Sequence, residues 1–254
     1  MIGGLIIKII KYKKLVNGRY KLTTDSIDIT LYEEVILKYN LLITKEIDPL
    51  DMDKISLDNQ YYEVYYTALN SIKSRFKSSY DVRVLLLKKE YPSDLIDSVI
   101  TKLNHQGYLN DLSFTKAFIN NQIVTTNNGP NKIKRELLEH KVDCDIDNEL
   151  LVFDKELQLE KIEKLANRFY KSNRNKGGNV LKNKIHNDLY NYGYDNYLID
   201  SVLNDLDFSN DKELARKEYE KLYKKLSNKY SGYELERKIQ EKLFMKGLKY
   251  EKDY

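Results

Sequence analysis

The sequence predicts a mainly α-helical protein: tandem three-helix repeats forming an elongated curved array, preceded by a small mixed β/α N-terminal domain. Three observations carry this. First, the 254-residue chain has only four alanines, at positions 68, 117, 166 and 215, separated by three equal intervals of 49. Alanine is ordinarily among the commonest residues. A composition loaded with Lys, Asn, Ile and Tyr disfavours it, so each retained Ala marks a place where a small side chain is needed. Second, four phrases share one pattern of Leu, three residues, Gly or a substitute, then an apolar residue: 86–91, 137–142, 189–194 and 243–248. Third, residues 1–52 are patterned as short strands, whereas the apolar residues beyond 55 recur with the 3.6-residue period of helices. A fixed period over tens of residues is the mark of a repeat architecture.

The elements follow in order. β-Branched runs at Leu5–Ile10, Arg19–Thr23 and Ile27–Leu31 read as strands, separated by the turn signals Asn17-Gly18 and Asp25-Ser26. A short helix is expected from about Tyr32 to Leu41, and Pro49 ends regular structure at a hinge near 48–53. In the first repeat, Tyr61, Tyr65, Ala68, Leu69, Ile72 and Phe76 share a helix face; in the fourth, Ala215, Tyr219, Leu222 and Leu226 do so. The alanines are placed where first helices approach their neighbours. Second helices end at the four Leu phrases, with Gly193 and Gly247 suited to the left-handed closing position. Third helices start at Ser93 or Asp94, Asp145 and Asp195, with apolar faces from Leu95 to Leu103, at Leu150 and Leu151, and from Leu198 to Leu206. The divisions are 1–52, 53–109, 110–154, 155–207 and a truncated 208–254. Three short helices bury little apolar surface alone, so neighbouring repeats are expected to stack.

The totals narrow the class. Hydrophobic residues make up 41% of the chain, enough for a core, and the formal charge of +4 is too small to imply nucleic-acid binding by itself. A single cysteine, Cys144, allows no internal disulfide and suggests a reducing compartment. No apolar run approaches the roughly 20 residues of a membrane span. The start, Met1 to Lys8, is apolar but lacks a basic leader and a cleavage site, so it reads as a strand of a cytoplasmic protein.

Several residues match a known pattern. Tyr66-Thr67-Ala68-Leu69 is followed by Arg75-Phe76-Lys77-Ser78, then Asp81-Val82-Arg83 and Leu86. Gly107-Tyr108-Leu109-Asn110-Asp111 with Phe114 is the more specific match, and Gly129, Ile133, Glu136 and Leu137 continue it. Glu33-Glu34-Val35 and Lys38-Tyr39-Asn40-Leu41-Leu42 add to it in the N-terminal domain. These stretches resemble the RecX family of regulators of the recombinase RecA. Departures are Asn110 for an acid, Thr115 for Ala and His140-Lys141-Val142 for Lys-Gly-Ile; the third and fourth repeats match through pattern and periodicity only. The resemblance implies tandem three-helix repeats. It also implies a non-enzymatic monomer that binds RecA or its filament on single-stranded DNA, damping strand exchange and ATP hydrolysis in recombination, DNA repair and the SOS response.

Charge is distributed unevenly. Residues 1–24 carry six cations and no acid, 161–187 eight cations against Glu163, and 139–160 eight acids against two lysines. Separated potentials suit a molecule that lies along a charged filament. The loop Ser172 to Gly178 is polar, flanked by cations and by Phe169 and Tyr170, and suited to reaching phosphates. The candidate contact residues are therefore Lys171, Arg174, Lys176, Lys182 and Lys184, with Arg75, Lys77 and Arg83 as a second group. The plain role for that second group is capping helix carboxyl ends. Most of the 22 tyrosines are explained by half-buried helix packing.

Other chemistry finds little support. Asp143 to Asn148 mimics the start of an EF-hand loop but has Asn148 and Asp154 where Gly and Glu are needed. Gly177-Gly178 lacks the Gly-Lys-Ser/Thr ending of a phosphate-binding P-loop. His105, His140 and His186 fall in different repeats, without metal-ligand spacing. No catalytic residue, metal or cofactor is expected. The alternative reading is a helical-repeat nucleic-acid-binding protein acting without a recombinase. A plain helical scaffold comes third.

Overall fold

The computed structural model describes residues 6–173, 175–209 and 212–250; the expected strand start at Leu5 and the candidate Arg174 lie outside them. The chain forms two compact units, one of residues 6–114 with 140–143, the other of 115–139 with 144–250. The fold is mostly helical, with a small antiparallel sheet at the N-terminus.

In the first unit, strands β1 (Ile7–Lys14), β2 (Arg19–Thr24), β3 (Asp28–Tyr32) and β4 (Glu46–Ile47) pair in the order β3-β2-β1-β4. Asn17 and Gly18 both take positive φ, 59° and 69°. Asn-Gly meets that need at low strain, and it sets the tight β1–β2 hairpin. Register follows the alternation: Tyr12 faces Leu22 and Leu22 faces Ile29, which puts the apolar set on one side. The expected single helix is two, α1 (Glu33–Lys38) and α2 (Leu41–Thr44), because Asn40 between them is left-handed at φ 52°. Leu22, Leu31, Val35, Ile36, Leu41 and Ile47 close a core with Ile55 from the next helix.

That helix, α3 (Met52–Ser74), starts from a single 3-10 turn at Pro49–Asp51. Its later residues Val64, Tyr65, Ala68 and Leu69 enter a second core with α4 (Ser79–Leu87) and α5 (Ser93–His105). Phe76 does not continue the α3 face. The helix stops at Ser74, and Phe76 is exposed, lying 6.4 Å from Phe114. Pro92, rather than Ser93 or Asp94, is the N-cap of α5.

The second unit holds α6 (Asp111–Thr125, whose first turn belongs to the first unit), α7 (Pro130–Glu139), α8 (Ile146–Leu150), α9 (Lys155–Ser172), α10 (Gly178–Asn191), α11 (Asn196–Asn204), α12 (Lys212–Leu226) and α13 (Gly232–Met245). Ala68, Ala166 and Ala215 are fully buried in α3, α9 and α12. Ala117 is exposed. The buried small residue of α6 is Thr115, whose hydroxyl lies 3.2 Å from the Cys144 sulfur. The helix phase, not the even count of 49, decides which residue meets the neighbour. Leu151 is likewise exposed, because α8 ends at Leu150, and Phe153 fills the core instead.

The four Leu phrases close α4, α7, α10 and α13 as expected. Glu90, Lys141, Gly193 and Gly247 all take positive φ (62°, 43°, 91° and 75°), and each following N–H returns toward the phrase's first Leu where its bond is formed, as in Tyr91 to Leu86, Tyr194 to Leu189 and Leu248 to Leu243. Three of these closing turns, at Lys141, Gly193 and Gly247, serve as joints. In the first unit the N-cap of α4, Ser78, donates its hydroxyl to the His140 carbonyl at 2.9 Å. In the second unit Gly129 N–H, just before α7, donates to the Tyr192 carbonyl at 2.6 Å. Gly177 N–H, just before α10, donates to the Lys246 carbonyl at 2.9 Å.

Candidate partner and nucleic-acid interface

The Gly107-to-Asp111 phrase is a structural clasp of the first unit. Gly107, at φ +75°, closes α5; Leu109 is buried; the Asn110 side chain accepts from Ser113 N–H at 2.8 Å and caps α6. The Asp111 carboxylate accepts from Ser79 N–H at 2.8 Å and from Asp143 N–H at 3.2 Å. Asn110 does the capping that an acid would do, so this departure leaves the clasp intact.

Around it sit the first candidate cations. Arg75, the exposed C-cap of α3, and the half-buried Lys77 have no ion-pair partner among the described residues. Arg83 differs: it pairs with Asp97 across α4 and α5, a bridge between exposed groups. The structure brings these three to one helix junction but leaves only two free for a partner.

The basic segment of the second unit is also reduced. Lys161 lies inside the packing and donates to the carbonyls of Ile123 and, at 2.9 Å, Thr126. It caps the carboxyl end of α6, and burial pushes its amine below the ordinary lysine value, with Lys164 adding to the effect. Lys164 pairs with Glu160 one turn away. Lys182 donates to the Asn204 side chain at 2.9 Å, and Lys184 pairs with Asp188 at 2.8 Å. Exposed Lys171 and half-buried Lys176 have no such partner among the described residues. Lys164, Arg168 and Lys171 line a shallow open depression on α9 with Glu163, Asn167 and Ser172.

The loop between α9 and α10 is built by packing. Asn173 donates its side-chain amide to the Phe169 carbonyl at 2.8 Å, and Lys176 N–H donates to Asn173 O at 2.9 Å. Gly177 is buried, and a Cβ there would come within 2.7 Å of Leu248. The glycine pair thus answers a close approach. The flanking aromatics are engaged as well. Phe169 lies 6.0 Å from Tyr192, and Tyr170 donates its hydroxyl to Asp207 O at 3.0 Å and meets the Phe208 ring edge-on.

The acidic segment does local work. Asp145 and Asp154 cap α8 and α9, and Asp147 pairs with Lys134 at 2.6 Å. Helix α8 occupies the start of the EF-hand-like stretch, with the Asp145 carboxylate bound to Asn148 N–H. No helix among the described residues is long and apolar enough to cross a membrane.

Sequence reasoning missed one constellation. The His140 ring lies 2.9 Å from the Asp81 carboxylate, and the Phe114 ring meets it edge-on at 5.1 Å. The available signal was Ser78-x-x-Asp81, a capping box whose acid also reaches His140.

Comparison with known proteins gives a consistent result. A protein of Lactococcus lactis subsp. lactis (strain IL1403) named "Regulatory protein RecX" is 32% identical over 98% of this chain and 95% of its own length. One of the same name from Halalkalibacterium halodurans is 30% identical over 97% of this chain and 96% of its own. A crystal structure of regulatory protein RecX superposes with a TM-score of 0.68 at 22% identity, covering 78% of this chain and all of that one. The crystal structure of RecX from Lactobacillus salivarius gives a TM-score of 0.54 at 25% identity, over 59% of this chain and 97% of that one. No family model matches.

Proposed function

Because the chain belongs to the RecX family of regulatory proteins, we propose that it binds RecA, or the RecA filament on single-stranded DNA, and damps strand exchange and ATP hydrolysis. The observation that carries this reading is the relationship at 30% identity or more over nearly the whole of both chains. The action needs no chemistry of its own: a ligand that binds one filament state better than another shifts the population toward it. The protein works in the cytoplasm, where its partner resides, with residues 53–109, 110–154, 155–207 and 208–254 serving as successive repeats after the N-terminal domain.

For the contacts, Arg75, Lys77, Lys171 and Lys176 are the strongest candidates, since their charges are not spent within the chain. Lys182 and Lys184 contribute less, because leaving Asn204 and Asp188 offsets part of any gain. The test is RecA ATPase on single-stranded DNA with added protein. Up to stoichiometric amounts should lower the rate, and Lys171→Glu with Lys176→Glu should raise the amount required about tenfold, which corresponds to roughly 1.4 kcal/mol. An unchanged ATPase and filament length would reject the reading. Tight binding to naked nucleic acid, unaffected by recombinase, would favour the alternative of a nucleic-acid-binding repeat protein.

A further inference from the structure

The two edges of the sheet are finished differently. On the β3 edge the Asn59 side chain of α3 does what another strand would do. Its oxygen accepts from Tyr32 N–H at 2.9 Å, and its amide donates to the Thr30 carbonyl at 3.2 Å. On the opposite edge β4 covers only the start of β1. It pairs with Ile7 and Lys8, and Ile9 N–H reaches the Lys45 carbonyl at 2.9 Å. Further along β1 the alternation of the ladder decides which groups are left over. Leu15 N–H donates to the Arg19 carbonyl, and Lys13 and Lys11 stand opposite Lys21 and Thr23. Lys11, Lys13 and Leu15 therefore turn their backbone groups toward β2, while Tyr12 and Lys14 turn theirs outward. Among the described residues the N–H and carbonyl groups of Tyr12 and Lys14 have no hydrogen-bond partner.

A row of free N–H and carbonyl groups along a sheet edge is a template for an added strand. The side chains around this row say what kind of strand. Residues 1–24 carry six cations and no acid. Lys11 and Lys13 are exposed on the face of the sheet away from the core and have no ion-pair partner among the described residues. Lys21 beside them is already paired with Asp28 at 2.6 Å. On the core side, Tyr12 donates its hydroxyl to the Leu41 carbonyl of α2 at 2.6 Å, and the next two residues of that helix, Leu42 and Ile43, are exposed. The lysines bar β1 from pairing with β1 of a second copy, because like charges would face one another. They do not bar an acidic strand.

We propose that the edge of β1 at residues 12–14 binds an extended acidic segment of a partner protein, which joins the sheet as a strand beside β1. Its backbone bonds to the free groups of Tyr12 and Lys14, and the pleat then sets the alternation of its side chains. Those on the outer face are acidic and meet Lys11 and Lys13. Those between them are apolar and lie on the side of Tyr12 and α2. Nucleic acid would also satisfy the lysines, but it brings no peptide groups to the edge, so the open backbone selects protein. The site does not depend on the recombinase being the partner.

The test titrates the full-length protein with a capped peptide of alternating glutamate and valine and follows amide hydrogen exchange by NMR. The peptide should slow exchange of the Tyr12 and Lys14 amides about tenfold. The same peptide with lysine in place of glutamate should leave both amides unchanged. Lys14→Pro removes one outward N–H without touching the bonds between β1 and β2, whereas Lys14→Gln removes only the charge. The proline variant should bind the acidic peptide about fivefold more weakly than the glutamine variant. Unchanged exchange at both amides at the highest peptide concentration would overturn the proposal, as would equal slowing by the lysine peptide or equal affinities of the two variants. Slowing that appears in the free protein and grows with its concentration would assign the edge to a second copy and overturn it too.

Discussion

The joint of the first unit and the two joints of the second do the same work with different materials. Ser78, Asp81 and His140 hold theirs through side chains, a hydroxyl on a carbonyl and a carboxylate against an imidazole. Gly129 with Gly193 and Gly177 with Gly247 hold theirs through backbone that approaches too closely for any Cβ: one built on Gly247 would sit 2.1 Å from the Gly177 carbonyl oxygen, and one on Gly193 2.4 Å from Lys132 N. A glycine joint is short and intolerant. A serine joint admits side chains on both partners and spreads its stability over several groups.

That contrast orders the expected effects. Gly247→Ala should cost most, about 3 kcal/mol, since the left-handed backbone and the missing space both oppose a methyl group. Urea unfolding measures it, and a cost under about 1 kcal/mol would mean the glycine joint can relax. Ser78→Ala should cost about 1–2 kcal/mol, the loss of an N-cap and of the His140 carbonyl's donor. A cost equal to that of Gly247→Ala would erase the distinction between the two kinds of joint.

The smallest effect belongs to a side chain that steadies a glycine joint. Lys246, whose carbonyl accepts from Gly177, pairs at 2.5 Å with the nearly buried Glu218 carboxylate of α12. Burial alone would raise the Glu218 pKa, but Lys246, with Lys221 beside it, brings it below the ordinary value. A carboxylate with a depressed folded-state pKa stabilises the protein above its unfolded pKa, near ~4.3, and loses that contribution as pH falls through the folded value. Glu218→Gln should therefore cost about 1 kcal/mol at pH 7, with the difference from the parent protein fading below about pH 4 in parallel denaturation curves. A gap independent of pH would assign the loss to packing.

The turns were the most legible part of the sequence. Leu86 to Tyr91 and its three counterparts announced the closing positions even where Glu90 and Lys141 replace glycine, because a left-handed helix end leaves a local pattern. Asp145 was readable as a cap for the same local reason. What depends on helix phase or distant partners was not. The even count pointed to Ala117, whereas Thr115 meets the neighbouring packing. Lys161 counted as a surface cation, because its carbonyl partners lie 35 and 38 residues away in sequence. The candidate interface shrank accordingly: Arg83, Lys182 and Lys184 carry the right charge but spend it on Asp97, Asn204 and Asp188.

Helix α3 has a consequence for how the first unit comes apart. Its 23 residues span about 35 Å. Ile55 near its start belongs to the core under the sheet, while Val64 to Leu69 belong to the core formed with α4 and α5. Neither core can melt without stripping apolar contacts from the spine of the other. The sheet and the first helix triplet therefore share one cooperative opening event, and the strands behave energetically as part of that triplet, not as an appendage to be lost on its own.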